Sequence, residues 1–209
     1  MSEKDPSLNA AYDLQSPDDN RRLYADWAET YDSGFAVDHD YRLHLMTARA
    51  FRDAGGQGPV LDVGAGTGLA GAVLSELGMA PIDATDISGE MLDVAERKDV
   101  YRDLFVADLL EGLPVPRDSY AGIVSSGTFT HGHLGPDALD ELLRVARTGA
   151  QFAISINAEH FTAKGFAAKL DALGDAITNL ALPDTRIYGP NATDEHKDDM
   201  AFIALFQKG

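Results

Sequence analysis

Residues 61–71 read LDVGAGTGLAG, and the interpretation of the whole sequence depends on this stretch. The apolar run before Gly64 is typical of a buried parallel strand, and the residues that follow Gly68 have helical spacing. The intervening glycines allow backbone dihedral angles that other residues avoid and let a ligand approach the main chain closely. Free N–H groups at the start of the helix would face the same place. The stretch therefore predicts a strand, a ligand-binding turn and a helix.

Helical and strand patterns alternate on both sides of this turn. Strand-like runs lie at 81–86, 101–108, 120–126 and 150–157. Helical patterns lie at 18–32, 40–55, 67–78, 88–98 (with Ser88 as the candidate N-cap) and from Pro136 onwards. The segment 109–119 is too short and too rich in proline for a full helix. This alternation predicts an α/β fold with a mostly parallel sheet, right-handed crossovers and helices on both faces.

The C-terminal part departs from this alternation. We expect a long helical segment over about 159–180 and two further strands near 185–189 and 200–208, which would form an antiparallel pair at one edge of the sheet. The predicted organisation is an N-terminal helical cap at 1–55 and an α/β domain at 56–209, within one structural domain overall.

Composition narrows the range of functions. The 209 residues carry a net charge of −17 and no cysteine, which excludes disulfides, thiolate metal sites and a cysteine nucleophile. No run is long enough to span a membrane, and no secretory signal is visible, so we expect a cytoplasmic protein that does not bind membranes. Because the few Lys and Arg residues are scattered, an acidic surface would repel a phosphate backbone, and we expect no nucleic-acid substrate.

The glycine spacing leaves two classes of cofactor open. Counted from Gly64, the dinucleotide pattern G-x-G-x-x-G/A fails at its sixth position, which is Leu69. The pattern does match from Gly66 through Gly71, but this register begins two residues beyond the end of the strand. Asp62, beside the loop, is awkward near a pyrophosphate and compatible with an ammonium group, although it could also accept N–H groups of the loop itself. An NAD(P)-dependent oxidoreductase therefore remains an alternative.

A second carboxylate follows at the end of the next predicted strand. Asp86 is suitably placed to accept hydrogen bonds from the two hydroxyls of a ribose, which indicates an adenosine-type ligand without choosing between cofactors. Asp83 is the competing acid, but it lies earlier, inside the strand. Asp86 could also serve only as an acidic residue at a helix N-terminus.

Four segments together resemble the class I S-adenosylmethionine-dependent methyltransferases, namely LDVGAGTG, TDISGEMLDVA, ADLLEGLP and VSSGTFTHGH. The upstream YADWAETYD and the later FVADLLEGLP and GTFTHGHL are most similar to the Williams–Beuren-region methyltransferase-like group. The resemblance covers roughly residues 20–157 and implies a Rossmann-like sheet and S-adenosylmethionine as cofactor, with S-adenosylhomocysteine as product. RTGA at 147–150 departs from the Pro-Gly-Gly turn that is more frequent in the family.

On the methionine side of the cofactor, the resemblance assigns five residues. The loop Gly64-Ala65-Gly66 would pass under the methionine part, with backbone carbonyl groups near its amino group. Asp62 would orient this loop from behind. Ser125, at the end of the fourth strand, would lie near the methionyl end.

On the adenosine side, the resemblance assigns five more. Asp86 would accept the ribose hydroxyls, and Ile87 would pack on the adenine. Asp108 would accept from the adenine amino group, with Leu109 beside it. Tyr31, in the N-terminal segment, would help to close the cofactor in.

Two histidines past the fourth strand, His131 and His133, are the candidate catalytic bases, because ligands of such sheets bind beyond the carboxyl ends of the strands. They could equally only bond the loop backbone, and no third ligand at suitable spacing supports a metal site. The fourth strand is not followed by an Asn-Pro-Pro-aromatic segment, which argues against methylation of nucleic-acid bases. We therefore expect a methyltransferase for a small-molecule acceptor, and a non-catalytic S-adenosylmethionine-binding protein stays as a second alternative.

Overall fold

The computed structural model describes residues 17–130, 133–193 and 195–209 as an eight-stranded sheet with surrounding helices. The strands are β1 (Val60–Val63), β2 (Ile82–Asp86), β3 (Asp103–Val106), β4 (Tyr120–Phe129), β5 (Ala146–Asn157), β6 (Ile177–Ala181), β7 (Asp184–Arg186) and β8 (Met200–Lys208). The helices are α1 (Pro17–Tyr31), α2 (Leu43–Asp53), α3 (Leu69–Glu76), α4 (Gly89–Glu96), α5 (Ala138–Val145), α6 (Ala158–Ala163) and α7 (Phe166–Ala172). A π-helical turn, Asp32–Ala36, follows α1 directly.

The sheet has the strand order β3-β2-β1-β4-β5-β8-β6, and β7 also pairs with β8. The strands from β1 to β5 are parallel to their neighbours, whereas β8 runs antiparallel to β5, β6 and β7. The predicted fold class, a mostly parallel Rossmann-like sheet with an antiparallel C-terminal strand pair, is confirmed. The pair is β7 with β8, but β8 lies inside the sheet, between β5 and β6, and only β6 and β7 lie at its edge.

Alternate residues of the central strands pack into different apolar clusters, which explains the helices on both faces. Along β5, Phe152 and Ile154 belong to the cluster that includes α5 and α7, whereas Ala153 between them packs with Phe51 of α2. Because successive side chains of a strand point to opposite faces, a strand buried on both sides has to be apolar at nearly every position. This burial accounts for the continuous apolar runs by which the strands were predicted.

The long helix predicted over 159–180 is wrong. Gly165 has a φ of +74°, in the left-handed region, and separates α6 from α7. The segment from Ile177 is then extended, because it pairs antiparallel with β8, with Thr178 opposite Gln207. Hydrogen bonding to a neighbouring strand decides the conformation there, and a helical pattern within the segment does not reveal it.

Around the glycine turn the predicted elements agree with the structure to within a few residues. Ser88 is the N-cap of α4, and its hydroxyl oxygen accepts a hydrogen bond from the N–H of Met91, as predicted. The RTGA segment belongs to the first part of β5, where Gly149 has a φ of +79°. No helix in the described ranges is both long and apolar enough to cross a membrane.

Candidate active site

A cavity of about 280 Å³ opens where β1, β2 and β4 end and the N-terminal helices cross above the sheet. Its wall combines residues that are up to about a hundred positions apart in the chain. It brings together ten of the residues predicted from the sequence, namely Tyr31, Asp62, Gly64, Ala65, Gly66, Asp86, Ile87, Asp108, Leu109 and His133.

The N–H groups of the glycine turn donate hydrogen bonds to acceptors at the end of β2. The N–H groups of Gly64 and Ala65 both donate to the carbonyl oxygen of Thr85, at 2.8 and 3.1 Å. The N–H of Gly66 donates to Oδ2 of Asp86 at 2.8 Å. These donors are therefore not available to a pyrophosphate, which binds through free N–H groups at such a turn. The predicted free N–H groups are those at the start of the helix, and these three contacts do not concern them.

Two glycines, one in the turn and one in the helix that follows it, leave space for other side chains of the protein. A Cβ on Gly64, whose φ is +64°, would collide with the hydroxyl of Thr128 on β4. A Cβ on Gly71, in α3, would collide with the hydroxyl of Tyr101. Gly71 is the last glycine of the alternative dinucleotide register, so packing against Tyr101 accounts for that match without a dinucleotide.

Asp62 is a buried carboxyl group in which one oxygen has no hydrogen-bond partner among the described residues. It is 1% exposed, and its Oδ2 accepts a hydrogen bond from the Tyr101 hydroxyl at 2.7 Å. Its Oδ1 is buried and has no hydrogen-bond partner among the described residues. Burial raises the pKa of Asp62 to about 7 against the lowering effect of the Tyr101 hydrogen bond, and the charge of Asp86 raises it further. A cationic donor in the cavity would satisfy Oδ1 and favour the ionised form.

Asp86 holds the end of β2 against the glycine turn. Its Oδ1 accepts from the N–H of Ser88 at 2.9 Å, while its Oδ2 accepts from Gly66. Burial raises its pKa, and these backbone hydrogen bonds oppose the rise. The competing acid, Asp83, lies outside the cavity and pairs with Arg102, whereas Asp86 lines the cavity.

At the ends of β2 and β3 the wall of the cavity is mostly apolar, with Asp86 and Asp108 as its acidic residues. Oδ1 of Asp108 accepts a hydrogen bond from the N–H of Leu110 at 2.9 Å, and this contact holds the loop after β3 in place. Leu109 is almost fully buried, and Ile87 faces it within the same cavity wall. A flat aromatic ring with a polar edge matches such a slot.

Ser125 lies elsewhere than expected. It is fully buried, its hydroxyl donates to the carbonyl oxygen of Val63 at 2.8 Å, and it does not line the cavity. The next residue, Ser126, lines the cavity together with Gly127 and Thr128. Because successive side chains of a strand alternate between faces, an error of one position moves a residue out of the site.

Histidines line the cavity on two sides. His133 does so with its ring 5.6 Å from that of Tyr24, whereas His131 lies outside the described residues. His44, on α2, was not predicted: its ring stacks on Tyr41 at 5.4 Å, and its buried Nδ1 has no hydrogen-bond partner in the described chain. Burial lowers the pKa of His44 to about 4, with Asp32 opposing the shift, so the ring is neutral. Within the described ranges, no three His, Asp or Glu residues form a metal site.

A further unpredicted contact joins the N-terminal segment to the glycine turn. Asp32, the first residue of the π-helical turn, accepts hydrogen bonds from the hydroxyl of Thr67 and from the ammonium group of Lys98. Nothing in the local sequence pairs these residues, since they are 35 and 66 positions from Asp32.

A smaller cavity, of about 60 Å³, adjoins the first at the carboxyl ends of β4 and β5. It shares four lining residues with the larger cavity, namely Tyr24, Tyr31, Tyr41 and Gly127. Tyr188 reaches it because its backbone forms an isolated antiparallel bridge with Tyr41. The sequence after Asn157 carried no motif, and this long-range contact is the reason that Tyr188 was not predicted.

Comparison with known proteins agrees with this geometry. Residues 61–154, slightly less than half of the chain, match the family model described as a methyltransferase domain. A 66-residue part is 39% identical to the 18S rRNA (guanine-N(7))-methyltransferase of Mus musculus, and it spans 32% of this chain and 23% of that relative. The matched part is therefore less than a quarter of the relative's length.

Solved structures show the same fold at lower identity. A TehB-like S-adenosylmethionine-dependent methyltransferase from Corynebacterium glutamicum has a TM-score of 0.63 at 22% identity, with 90% of this chain and 99% of that chain covered. The cyclase SpnF has a TM-score of 0.69 at 16% identity, with 93% and 97% covered. The fold alone does not decide the reaction, since one of these proteins is described as a cyclase. Residues 61–154 thus match a methyltransferase domain, the fold is that of S-adenosylmethionine-dependent methyltransferases, and both support S-adenosylmethionine as the cofactor.

Proposed function

We propose that this protein transfers the methyl group of S-adenosylmethionine to a small-molecule acceptor. The observation that carries the proposal is the pair of adjoining cavities, one beside the glycine turn and one at the carboxyl ends of β4 and β5. Ligands of open α/β sheets bind at this edge, so a cofactor and an acceptor would meet at the wall that the cavities share.

The residues of the glycine turn and Asp62 would bind the methionine part of the cofactor. The methionine part would lie over Gly64, Ala65 and Gly66, where the turn offers carbonyl oxygens because its N–H groups are bonded within the protein. The amino group would donate to Oδ1 of Asp62, the buried oxygen without a partner.

On the adenosine side, Asp86 would accept the ribose hydroxyls, Ile87 and Leu109 would enclose the adenine, and Asp108 would accept from its amino group. Tyr31, which lines both cavities, would cover the cofactor from the N-terminal side. In this proposal residues 1–55 act as a cap on the α/β domain formed by 56–209.

Bound S-adenosylmethionine supplies an electrophilic methyl group on a sulfonium, so the protein has to align the acceptor and exclude water. The partly buried rings of Tyr24, Tyr31 and Tyr41 would exclude water from the shared wall. His44 is neutral and has a ring nitrogen available, so it can hydrogen bond to the acceptor. His133, and His131 before it, would orient the acceptor or remove a proton where the acceptor has one to lose.

The acidic surface supports a small acceptor over a nucleic acid. The net charge is −17, and no Lys or Arg among the described residues lines either cavity, so no cation there would hold a phosphate. The similarity to an rRNA methyltransferase covers 66 residues, and we assign the rRNA activity to that relative alone. The likeness of the segments 24–32, 105–114 and 127–134 to the Williams–Beuren-region group stays part of this proposal.

Calorimetry and a transfer assay test the proposal. We expect S-adenosylmethionine and S-adenosylhomocysteine to bind with about micromolar affinity, whereas NAD(H) and NADP(H) do not bind. Labelled S-adenosylmethionine should then transfer its methyl group to a member of a small-molecule panel and not to ribosomal RNA. Robust RNA methylation would overturn the acceptor class, and cofactor binding without transfer to any acceptor would favour a non-catalytic binding protein.

A further inference from the structure

The smaller cavity is built largely from aromatic rings. Seven of its thirteen lining residues are aromatic, and they come from α1, the π-helical turn, the segment just before α2, β4 and the loop before β8: Tyr24, Trp27, Tyr31, Phe35, Tyr41, Phe129 and Tyr188. We call this set the aromatic cage. Its floor is formed by the carboxyl ends of β4 and β5, where Gly127 and Asn157 lie.

The rings of the cage differ in orientation, so that together they enclose a volume and do not form one stack. Trp27 meets Tyr31 edge to face, with centroids 5.3 Å apart and planes inclined by 82°. Phe35 lies 5.1 Å from Trp27, at 61°, and 5.5 Å from Tyr41, at 46°. The face of an aromatic ring carries a negative potential, so ring faces that border the cavity would attract a cation.

Among the described residues that line the two cavities, acidic side chains occur and Lys and Arg do not. No Lys or Arg of the described chain lines either cavity, whereas Asp62, Asp86 and Asp108 line the larger one. The negative charge of Asp86 extends to Tyr24 and helps burial to raise its pKa. Burial likewise raises the pKa of Tyr31 and Tyr41, so these phenols are neutral and add no charge of their own. A positive group would be favoured here, and a carboxylate or phosphate would find no partner.

From this combination we infer that the methyl acceptor is a small aliphatic amine and that the aromatic cage stabilises the ammonium charge that forms on its nitrogen. The inference rests on the proposed function and gives its acceptor a chemical class. It goes beyond packing, because a purely structural aromatic cluster needs neither a cavity at the carboxyl ends of β4 and β5 nor a cavity lining without Lys or Arg.

The reaction balances once the amine, which is largely protonated near neutral pH, has given its proton to the solvent. The lone pair of the neutral amine nitrogen forms a bond to the methyl carbon while the bond from that carbon to sulfur breaks, and its electron pair goes to sulfur. The positive charge thereby moves from sulfur to nitrogen. Because the cage attracts this charge more as it develops on nitrogen, the cage stabilises the transition state more than the neutral amine. His44 then needs only to orient the nitrogen.

The test uses Trp27, the only tryptophan in the chain, as its reporter. The full-length protein is saturated with S-adenosylhomocysteine and titrated with choline and with 3,3-dimethylbutan-1-ol, a neutral alcohol of the same shape. Tryptophan fluorescence and calorimetry report binding. We expect choline to bind about tenfold more tightly than the neutral alcohol, in keeping with a cation–π energy of roughly 1–2 kcal/mol.

Fluorinated tryptophans separate electrostatics from packing. Each added fluorine weakens the negative face of the ring with little change of shape, so the preference for choline should fall stepwise from tryptophan to mono-, di- and trifluorotryptophan at position 27. Phe35→Leu should reduce the preference as well. Phe166→Leu is the matched control, because Phe166 is a fully buried ring in the other apolar cluster, and it should leave the preference unchanged.

The outcomes are distinguishable. Equal affinity for choline and the neutral alcohol, or a preference that fluorination does not alter, would overturn the amine inference while S-adenosylhomocysteine still binds. Failure of S-adenosylhomocysteine itself to bind the folded protein would overturn the proposed function. Selective binding of choline together with the stepwise loss would support the amine inference.

Discussion

The hydroxyl of Tyr101 donates a hydrogen bond to Oδ2 of Asp62 at 2.7 Å, beneath the glycine turn. This contact explains two features at once. The tyrosine occupies the space that a side chain on Gly71 would need, and it satisfies one oxygen of Asp62 while the other stays available to a ligand. Burial and the adjacent Asp62 raise the pKa of Tyr101, so it remains the donor of this bond.

Gly71→Ala is expected to lower the free energy of unfolding by about 1–3 kcal/mol, the usual cost of adding atoms to a well-packed site. The cost should be smaller when Tyr101 is replaced first by leucine, because the methyl group then meets a shorter side chain. Urea unfolding of the wild type, both single variants and the double variant measures this coupling. The same cost of Gly71→Ala in both backgrounds would contradict the packing explanation.

The stability of the ligand-free protein should depend on the ionisation of Asp62. Because burial raises the pKa of this group to about 7, the folded state retains a proton that the unfolded chain releases near pH 4. The stabilising contribution is therefore complete below about pH 4 and is lost as the pH rises to about 7. Relative to Asp62→Asn, the wild type should lose stability on the order of a few kcal/mol over this range. Urea unfolding of both proteins at several pH values measures the difference, and parallel curves would contradict it.

The same group predicts a pH dependence of cofactor binding. A cationic amino group at Oδ1 favours the ionised carboxyl, so the affinity for S-adenosylmethionine should increase as the pH rises towards 7 and then level off. Calorimetry in two buffers of different ionisation enthalpy should detect about one proton released per cofactor near pH 6. In Asp62→Asn both effects should be absent. Uptake of a proton by the wild type would overturn the assignment.

The order of strands and helices around the glycine turn could be predicted from sequence because its signals are local. An apolar run, a glycine turn and a capping residue such as Ser88 each act within a few positions. The segment 159–180 was mistaken for a helix because the strand from Ile177 is decided by pairing with β8, about thirty residues later. A pattern within the segment contains no information about that partner.

For the candidate site, too, local sequence signals could be predicted and long-range contacts could not. Eight of the ten predicted residues in the wall of the larger cavity lie at the carboxyl ends of β1, β2 and β3, which follow directly from the strand pattern. Ser125 was misplaced because choosing between it and Ser126 needs the exact register of β4. Tyr188 and His44 reach the cavities through contacts of α2 and the C-terminal loop, which no sequence spacing encodes.

Asp86 and Asp83 provide a matched pair on one strand. Asp86→Ala should weaken binding of S-adenosylhomocysteine by at least about tenfold, which corresponds to about 1.4 kcal/mol, because it removes both the acceptor for the ribose and the anchor of the turn at Gly66. Asp83→Asn should leave this affinity unchanged, since Asp83 lies outside the cavity, and should lower stability by breaking its contact with Arg102. Calorimetry and urea unfolding separate the two effects. Equal loss of affinity in both variants would show that Asp86 acts only through the fold.

The contact of Asp32 with Thr67 should control how long the cofactor stays bound. Asp32 joins the N-terminal segment to the glycine turn, and Thr67→Val removes the hydroxyl of this contact while keeping the shape of the side chain. We expect dissociation of S-adenosylhomocysteine to become about tenfold faster in stopped-flow measurements, equivalent to about 1.4 kcal/mol, because the cap over the cavity loses one attachment. Arg97→Met is the control: it breaks an exposed ion pair with Glu29 that also ties α1 to α4, away from the turn. Because exposed pairs contribute at most about 1 kcal/mol, Arg97→Met should change the dissociation rate less than Thr67→Val does. If the two variants accelerate dissociation equally, the attachment of α1 matters and the contact at Thr67 has no special role.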